Sequence, residues 1–218
     1  MATRTGAFSV LSVIRSGGVA LIVGGVLLIL YIILQVVAGS PADPENVLKT
    51  SFSLGFHIRM AGVLFILLGL VGLFIRHIGS IGPFGVTAFV LAFAGTALVG
   101  GETHLAVTAF PFLAENDPAL FEAFLRSPTS AVLGIASLLF LLGGYIMLGI
   151  VLFRANLSPR WSAVMLPIGW LILTNAPPGQ LIVRLVGGIL IGVCFLGQGW
   201  ALWSSQEDAP WRHAGGAP

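Results

Sequence analysis

The sequence predicts an all-α integral membrane bundle of six transmembrane helices with both termini in the cytoplasm. Three observations predict it. Only 8% of the 218 residues are charged, against roughly 25% in an ordinary soluble domain. Mean hydropathy is +1.03. Six apolar runs recur along the chain, each near the ~20 residues that cross ~30 Å of hydrocarbon. The runs are apolar all round, which suits lipid-facing helices. Backbone polar groups in lipid must be satisfied within the segment, so helices result; the alternating ~10-residue segments of a barrel do not occur. This balance excludes a soluble enzyme, a disordered chain and a typical nucleic-acid binder, so the bilayer is the expected partner and nucleic acid is not. The 29 glycines show no three-residue period, which excludes collagen.

The runs cover residues 17–38, 52–75, 83–110, 131–153, 161–175 and 181–203. The first follows Arg4 and Arg15 and precedes the small residues Ala38-Gly39-Ser40, the elements of a signal peptide. Its length exceeds the usual 7–15 residue signal core, roughly, so it reads as an uncleaved first span. The fifth is short and interrupted by Pro167, which is expected to kink it. Residues 1–203 thus form a single six-helix domain, and 204–218 read as a polar, disordered cytoplasmic tail containing His213. The lone Cys194 lies in the sixth run; it excludes an internal disulfide and reads as a small buried core residue.

Arginines set the orientation, because cationic loops stay on the cytoplasmic side. With the N-terminus inside, Arg4, Arg15, Arg76, Arg154, Arg160 and Arg212 face the cytoplasm, and only Lys49 and Arg126 lie outside. The inner interface then holds Trp161, Trp200 and Trp203, whose amphipathic rings suit that depth. His77, beside Arg76, reads as a solvated inner-loop histidine. Both longer outer loops begin a helix alike: Asp43-Pro44-Glu45 and Asp117-Pro118 place a capping acid before a proline at the first helical position. The second, 118–126, is amphipathic, with Leu120, Phe121, Phe124 and Leu125 on one side and a Glu122–Arg126 pair on the other. It lies along the outer membrane surface or packs on the outer helix ends. Leu64-Phe65 through Arg76 is similar to Leu139-Phe140 through Arg154, so helices two–three and four–five are a candidate parallel duplication.

Ionisable groups inside hydrocarbon are costly and need partners or a function. Here they converge at one depth. His57 and Arg59 fall in the outer third of the second helix, Glu102 and His104 in the outer third of the third, and Arg184 near the outer start of the sixth. Gln35, Tyr31, Thr174 and Asn175 lie on the same side. Arg59 shares a face with Gly55, Gly62 and Gly69, a seam for close helix approach that turns Arg59 into the bundle. His104 shares a face with Ala94, Ala97, Gly101 and Thr108, a second small-residue seam. Glu102 and His104 stand about 200° apart on a regular helix, which weakens any metal clamp between them. Tyr145, near mid-membrane, needs a hydrogen-bond partner, and Gln198 suits helix packing.

Four readings follow for this cluster. One is a structural Arg59–Glu102 ion pair. A second is a pocket in which Arg59 and Arg184 hold an anionic or polar ligand and His104 hydrogen-bonds it. A third is haem with His57 and His104 as axial ligands. A fourth is an intramembrane enzyme using Glu102 or His104 as general acid or base. The expected function is non-enzymatic binding or transport of a small or lipid-like ligand at an outer-leaflet pocket formed by Arg59, His104, Glu102, Arg184 and His57. The alternatives are an enzyme, a haem protein or a structural subunit of a membrane complex. No catalytic residue, metal ligand or cofactor is assigned.

The inner turn from Arg154 through Leu157-Ser158-Pro159-Arg160-Trp161, followed by Leu166-Pro167-Ile168-Gly169-Trp170, resembles small uncharacterised bacterial multi-pass membrane proteins in which an L-x-P-R-W turn joins two helices. The Gly- and Ala-rich composition is similar to that of high-GC bacteria. The resemblance implies a bacterial plasma membrane and brings no activity with it.

Overall fold

The computed structural model describes residues 10–154, 159–175 and 180–204. They form helices α1 (Val10–Ala38), α2 (Pro44–Val47), α3 (Thr50–His77), α4 (Gly82–Asn116), α5 (Pro118–Leu125), α6 (Pro128–Arg154), α7 (Arg160–Asn175) and α8 (Leu181–Trp203), with no strand among the described residues. The fold is therefore all-helical. Five helices, α1, α3, α4, α6 and α8, are long and apolar enough to cross a membrane. The fifth apolar run is α7, which has 16 residues and is therefore about 24 Å long. Arg4, Arg212, His213, the tail from 205 onward and residues 155–158 of the L-x-P-R-W turn lie outside the described residues.

Six helices close a ring in the order α1, α3, α4, α6, α7, α8, with α8 returning to α1. Neighbours run antiparallel. Gly17 meets Gly72 while Tyr31 meets Phe56 on α1 and α3, and Gly18 meets Gly199 while Ile32 meets Gly188 on α1 and α8. Van der Waals packing rather than the hydrophobic effect holds helices together in lipid, so small residues gather at the seams. Helix α1 carries two such seams. Gly17 and Gly24 face α3, and Gly18 and Gly25 face α8. A methyl group built on Gly17 would stand 2.7 Å from the Gly72 Cα, so neither position accepts a side chain.

Expected local signals are present at the end of the ring that carries α2 and α5, hereafter the outer end. Asp43 accepts from the Glu45 N–H at 3.0 Å and Asp117 from the Leu120 N–H at 2.9 Å, each before a proline in the first turn. Gly39, at φ +94°, stops α1 in a left-handed turn that side chains disfavour. Helix α4 runs about two turns beyond the sequence reading, through Pro111 to the Asp117 cap. At the opposite end Trp161, Trp200 and Trp203 are exposed, as an interfacial position requires. His77 departs from expectation. It is the last residue of α3 rather than part of a loop, and it is buried.

Candidate functional site

A cavity of about 560 Å³ lies on the axis of the ring, in its outer half. Every helix of the ring contributes to its wall. Tyr31 and Gln35 come from α1, Arg59 from α3, Thr96 and Glu102 from α4, Ser137 and Tyr145 from α6, Trp170 and Thr174 from α7, and Arg184 from α8. The remaining wall is mostly aliphatic and aromatic, the usual make-up of a small-molecule site.

The floor is a fixed aromatic layer. Tyr145 is fully buried, stacks on Trp170 at 5.6 Å between centroids and meets Phe195 edge-on at 6.0 Å. Its hydroxyl is 3.0 Å from Thr96 Oγ1, which itself donates to the Ala92 carbonyl at 2.7 Å. Tyr145 is thus the donor of that pair, and the partner expected for it is Thr96. Below this layer Leu21, Leu70, Leu152 and Leu202 fill the ring.

The roof is partly α5. Phe121 is completely buried, edge-on to Phe110 of α4 at 5.5 Å, and Phe124 and Leu125 reach the cavity. Of the two placements open for this helix, packing on the outer helix ends is the one adopted. Its Glu122–Arg126 pair forms at 3.2 Å on the exposed side.

Arg59 enters the cavity as its glycine seam implies, since Gly55, Gly62 and Gly69 all face α1. Its guanidinium is not paired with Glu102, so the expected structural ion pair is not formed. Instead Nη1 donates to the Tyr31 hydroxyl at 3.3 Å, and the charge lies over the Tyr31 and Phe56 rings at 5.1 and 5.6 Å. Cation–π contact with two rings holds the arginine without neutralising it.

Four wall residues carry buried polar atoms that no protein group satisfies: Glu102 Oε1, Arg184 Nε, Ser137 Oγ and Trp170 Nε1. An unpaired buried donor or acceptor costs about 1–3 kcal/mol, more if charged, and each needs a reason. The four residues, three with donor or cationic groups and one carboxylate, line one volume. Chemically, the wall can accept an anion between two arginines and a donor group at Glu102. Gln198 also leaves both amide atoms unpaired, but it is buried away from the cavity wall.

The histidines do not take part. His57 is exposed, its Nδ1 donating to the Ser53 carbonyl of its own helix at 2.7 Å. His104 is exposed together with Ala97, Gly101 and Thr108, so that small-residue stripe faces outward rather than forming a helix seam. The ~200° separation from Glu102 turns one residue in and the other out. The structure thus unites Arg59, Glu102 and Arg184 and leaves His57 and His104 outside the ring. Among the described residues no three of His, Cys, Asp and Glu gather to hold a metal ion.

Sequence reasoning missed Thr96, Ser137 and Trp170. Trp170 had a signal. It lies far along α7 from the interfacial Trp161, and a buried indole N–H calls for an acceptor. Ser137 had little, because a lone serine in an apolar helix commonly bonds its own backbone.

No family model matches the chain, and neither a curated protein nor a solved structure shows significant similarity to it.

Proposed function

We propose that this chain is a six-span protein of a bacterial plasma membrane that binds a small or lipid-like ligand, without chemical conversion, in the axial cavity. The observation that carries this reading is that four residues with an unpartnered buried polar atom, Glu102, Arg184, Ser137 and Trp170, all line one cavity. A purely structural bundle gains nothing from such atoms, whereas a ligand's polar groups offset their cost. His57 and His104 stand outside, so among the described residues no imidazole lines the cavity beside Ser137, Thr96 or Tyr145 to activate a hydroxyl. That favours binding over catalysis. The filled inner half favours binding over passage across the membrane.

The sixth crossing is α7. It lies antiparallel between α6 and α8 and closes the ring. Its Trp170 and Thr174 reach the same cavity as Arg184, at the outer start of α8. The six-to-two bias in arginine and lysine supports both termini in the cytoplasm, and the resemblance of the inner turn to bacterial multi-pass proteins supports a bacterial plasma membrane. A reporter fused after Pro218 is expected on the cytoplasmic side; an extracellular signal would remove either the sixth crossing or the orientation.

Native mass spectrometry of protein released gently from its own membrane tests the binding function. A discrete bound mass is expected. Its occupancy should fall about tenfold or more in Arg184→Ala, the scale of one charge-assisted hydrogen bond. Bare protein, or adducts indifferent to Arg184→Ala, would refute the reading.

A further inference from the structure

Helix α6 does not pack evenly along its length. In its inner part Gly144 lies against the Ala92 backbone of α4, and Gly149 lies against Ala163 and Pro167 of α7. In its outer part residues 131–135 are all exposed. At about 100° per residue, five consecutive positions go all the way round a helix. So this stretch is loosely covered on every side, although a helix in a closed ring normally has two covered flanks. Leu133, Gly134 and Leu138 are exposed and line the cavity, and Val132, Ile135 and Leu139 of the same turns are exposed on the other side, which points to an opening beside α6. A methyl built on Gly134 would find nothing within 4 Å. The gap is dry in character. Exposed Val132, Ile135, Leu139 and Phe140 border it, and α6 has no charged residue before Arg154.

The ring order sets what lies opposite. With helices in the order α1, α3, α4, α6, α7, α8, helix α6 stands across the axis from α1. The far wall therefore carries Tyr31 on α1, flanked by Arg59 on α3 and Arg184 on α8. An apolar side opening faces a cationic wall across a cavity. A hydrated small anion gains nothing from crossing an aliphatic gap that opens towards hydrocarbon. A membrane amphiphile can do so head first, leaving its chain in the gap and the bilayer.

We infer that the ligand is a single-chain anionic amphiphile, with a carboxylate or phosphate head, that enters sideways from the outer leaflet past α6. The head meets Arg59 and Arg184, a head-group hydroxyl or ammonium meets the Glu102 carboxylate, and the chain lies along Leu133, Gly134 and Leu138. This rests on the binding function proposed above and adds the ligand class and its route.

The test uses the full chain in phosphatidylcholine nanodiscs doped with palmitic acid, or with a lysophosphatidic acid, each bearing a mid-chain diazirine. After illumination, label on either probe is expected to concentrate on residues 131–140. It should drop about tenfold in Arg184→Ala, which loses a charge-assisted contact. Gly134→Phe, which puts a ring into open space, should drop it to a similar degree while leaving the melting temperature unchanged. Inorganic phosphate and butyrate serve as soluble probes of the same cationic wall. If they bind in an Arg184-dependent way while both amphiphiles label all lipid-facing helices evenly, the side entry and the ligand class fall and the site stands. If neither soluble nor lipid probes respond to Arg184→Ala, the site falls with them.

Discussion

The inner and outer halves of this ring are built from the same six helices and nearly the same residue types, yet they are finished differently. In the inner half, glycines meet backbone: Gly17 against Gly72, Gly144 against Ala92, Gly149 against the Ala163 carbonyl. The space between is filled by leucines and closed by Tyr145. In the outer half Gly187 still meets the Leu173 backbone, but Gly101 and Gly134 meet nothing within 4 Å, and four residues of the cavity wall carry a polar atom without a protein partner. The difference teaches that glycine content does not by itself make a helix seam. A seam needs a facing helix close enough to exploit the missing side chain, and where the helices part the same residue borders open space. Close packing fills the inner half, which still leaves His77 Nε2 and both Gln198 amide atoms unpaired, whereas in the outer half the residues with unsatisfied groups line a cavity.

Helix α6 contains both situations, so it offers the sharpest way to break the comparison. Gly144→Leu forces a side chain into the α4 backbone and is expected to destabilise the protein by about 3 kcal/mol, at the upper end of overpacking costs. Gly134→Leu, in open space, is expected to be neutral or to gain about 0.5–1 kcal/mol from helix propensity. Reversible unfolding in detergent micelles measures both. Equal losses in the two variants would mean that the outer part of α6 is packed after all, and the side opening would go with it.

The comparison also marks how far the sequence could be read. Helix type and five long apolar helices followed from length and hydropathy, because lipid imposes both on any crossing segment. The Asp43-Pro44 and Asp117-Pro118 starts were legible because a cap is a local device, complete within four residues. Arg59 was correctly turned inward, since a charge on a glycine seam shares the direction of the close contact. His104 was not, although its seam of Ala97 and Gly101 looked equivalent. Only the ring order decides which small-residue stripe meets a neighbour, and ring order is a property of the whole chain. The burial of His77 and the placement of Trp170 in the cavity floor depend on tertiary packing in the same way. The Arg59–Glu102 pairing failed for a subtler reason. Depth agreed, but Tyr31 of α1 and Phe56, one turn earlier on α3, hold the guanidinium.

The smallest expected effect separates the halves by a single atom. Ser137 and Tyr145 are buried hydroxyls on the same face of α6, about two turns apart. Tyr145 donates to Thr96 beneath the cavity, and Ser137 Oγ has no partner although it lies in the wall. Tyr145→Phe is therefore expected to cost about 0.5–1 kcal/mol, the usual worth of a hydrogen bond between membrane helices. Ser137→Ala deletes an unsatisfied hydroxyl and replaces serine by a better helix former. It is expected to stabilise the ligand-free protein by roughly 0.5–1 kcal/mol. Thermal unfolding of delipidated protein measures the two signs. Opposite signs would set the boundary between structural and ligand-directed polar groups between these two residues. A loss in Ser137→Ala as large as that in Tyr145→Phe would assign Ser137 a structural partner and reduce the unsatisfied wall to Glu102, Arg184 and Trp170. A gain that disappears when the native ligand is left bound would tie Ser137 to that ligand directly, because the hydroxyl then loses a partner that only the ligand supplies.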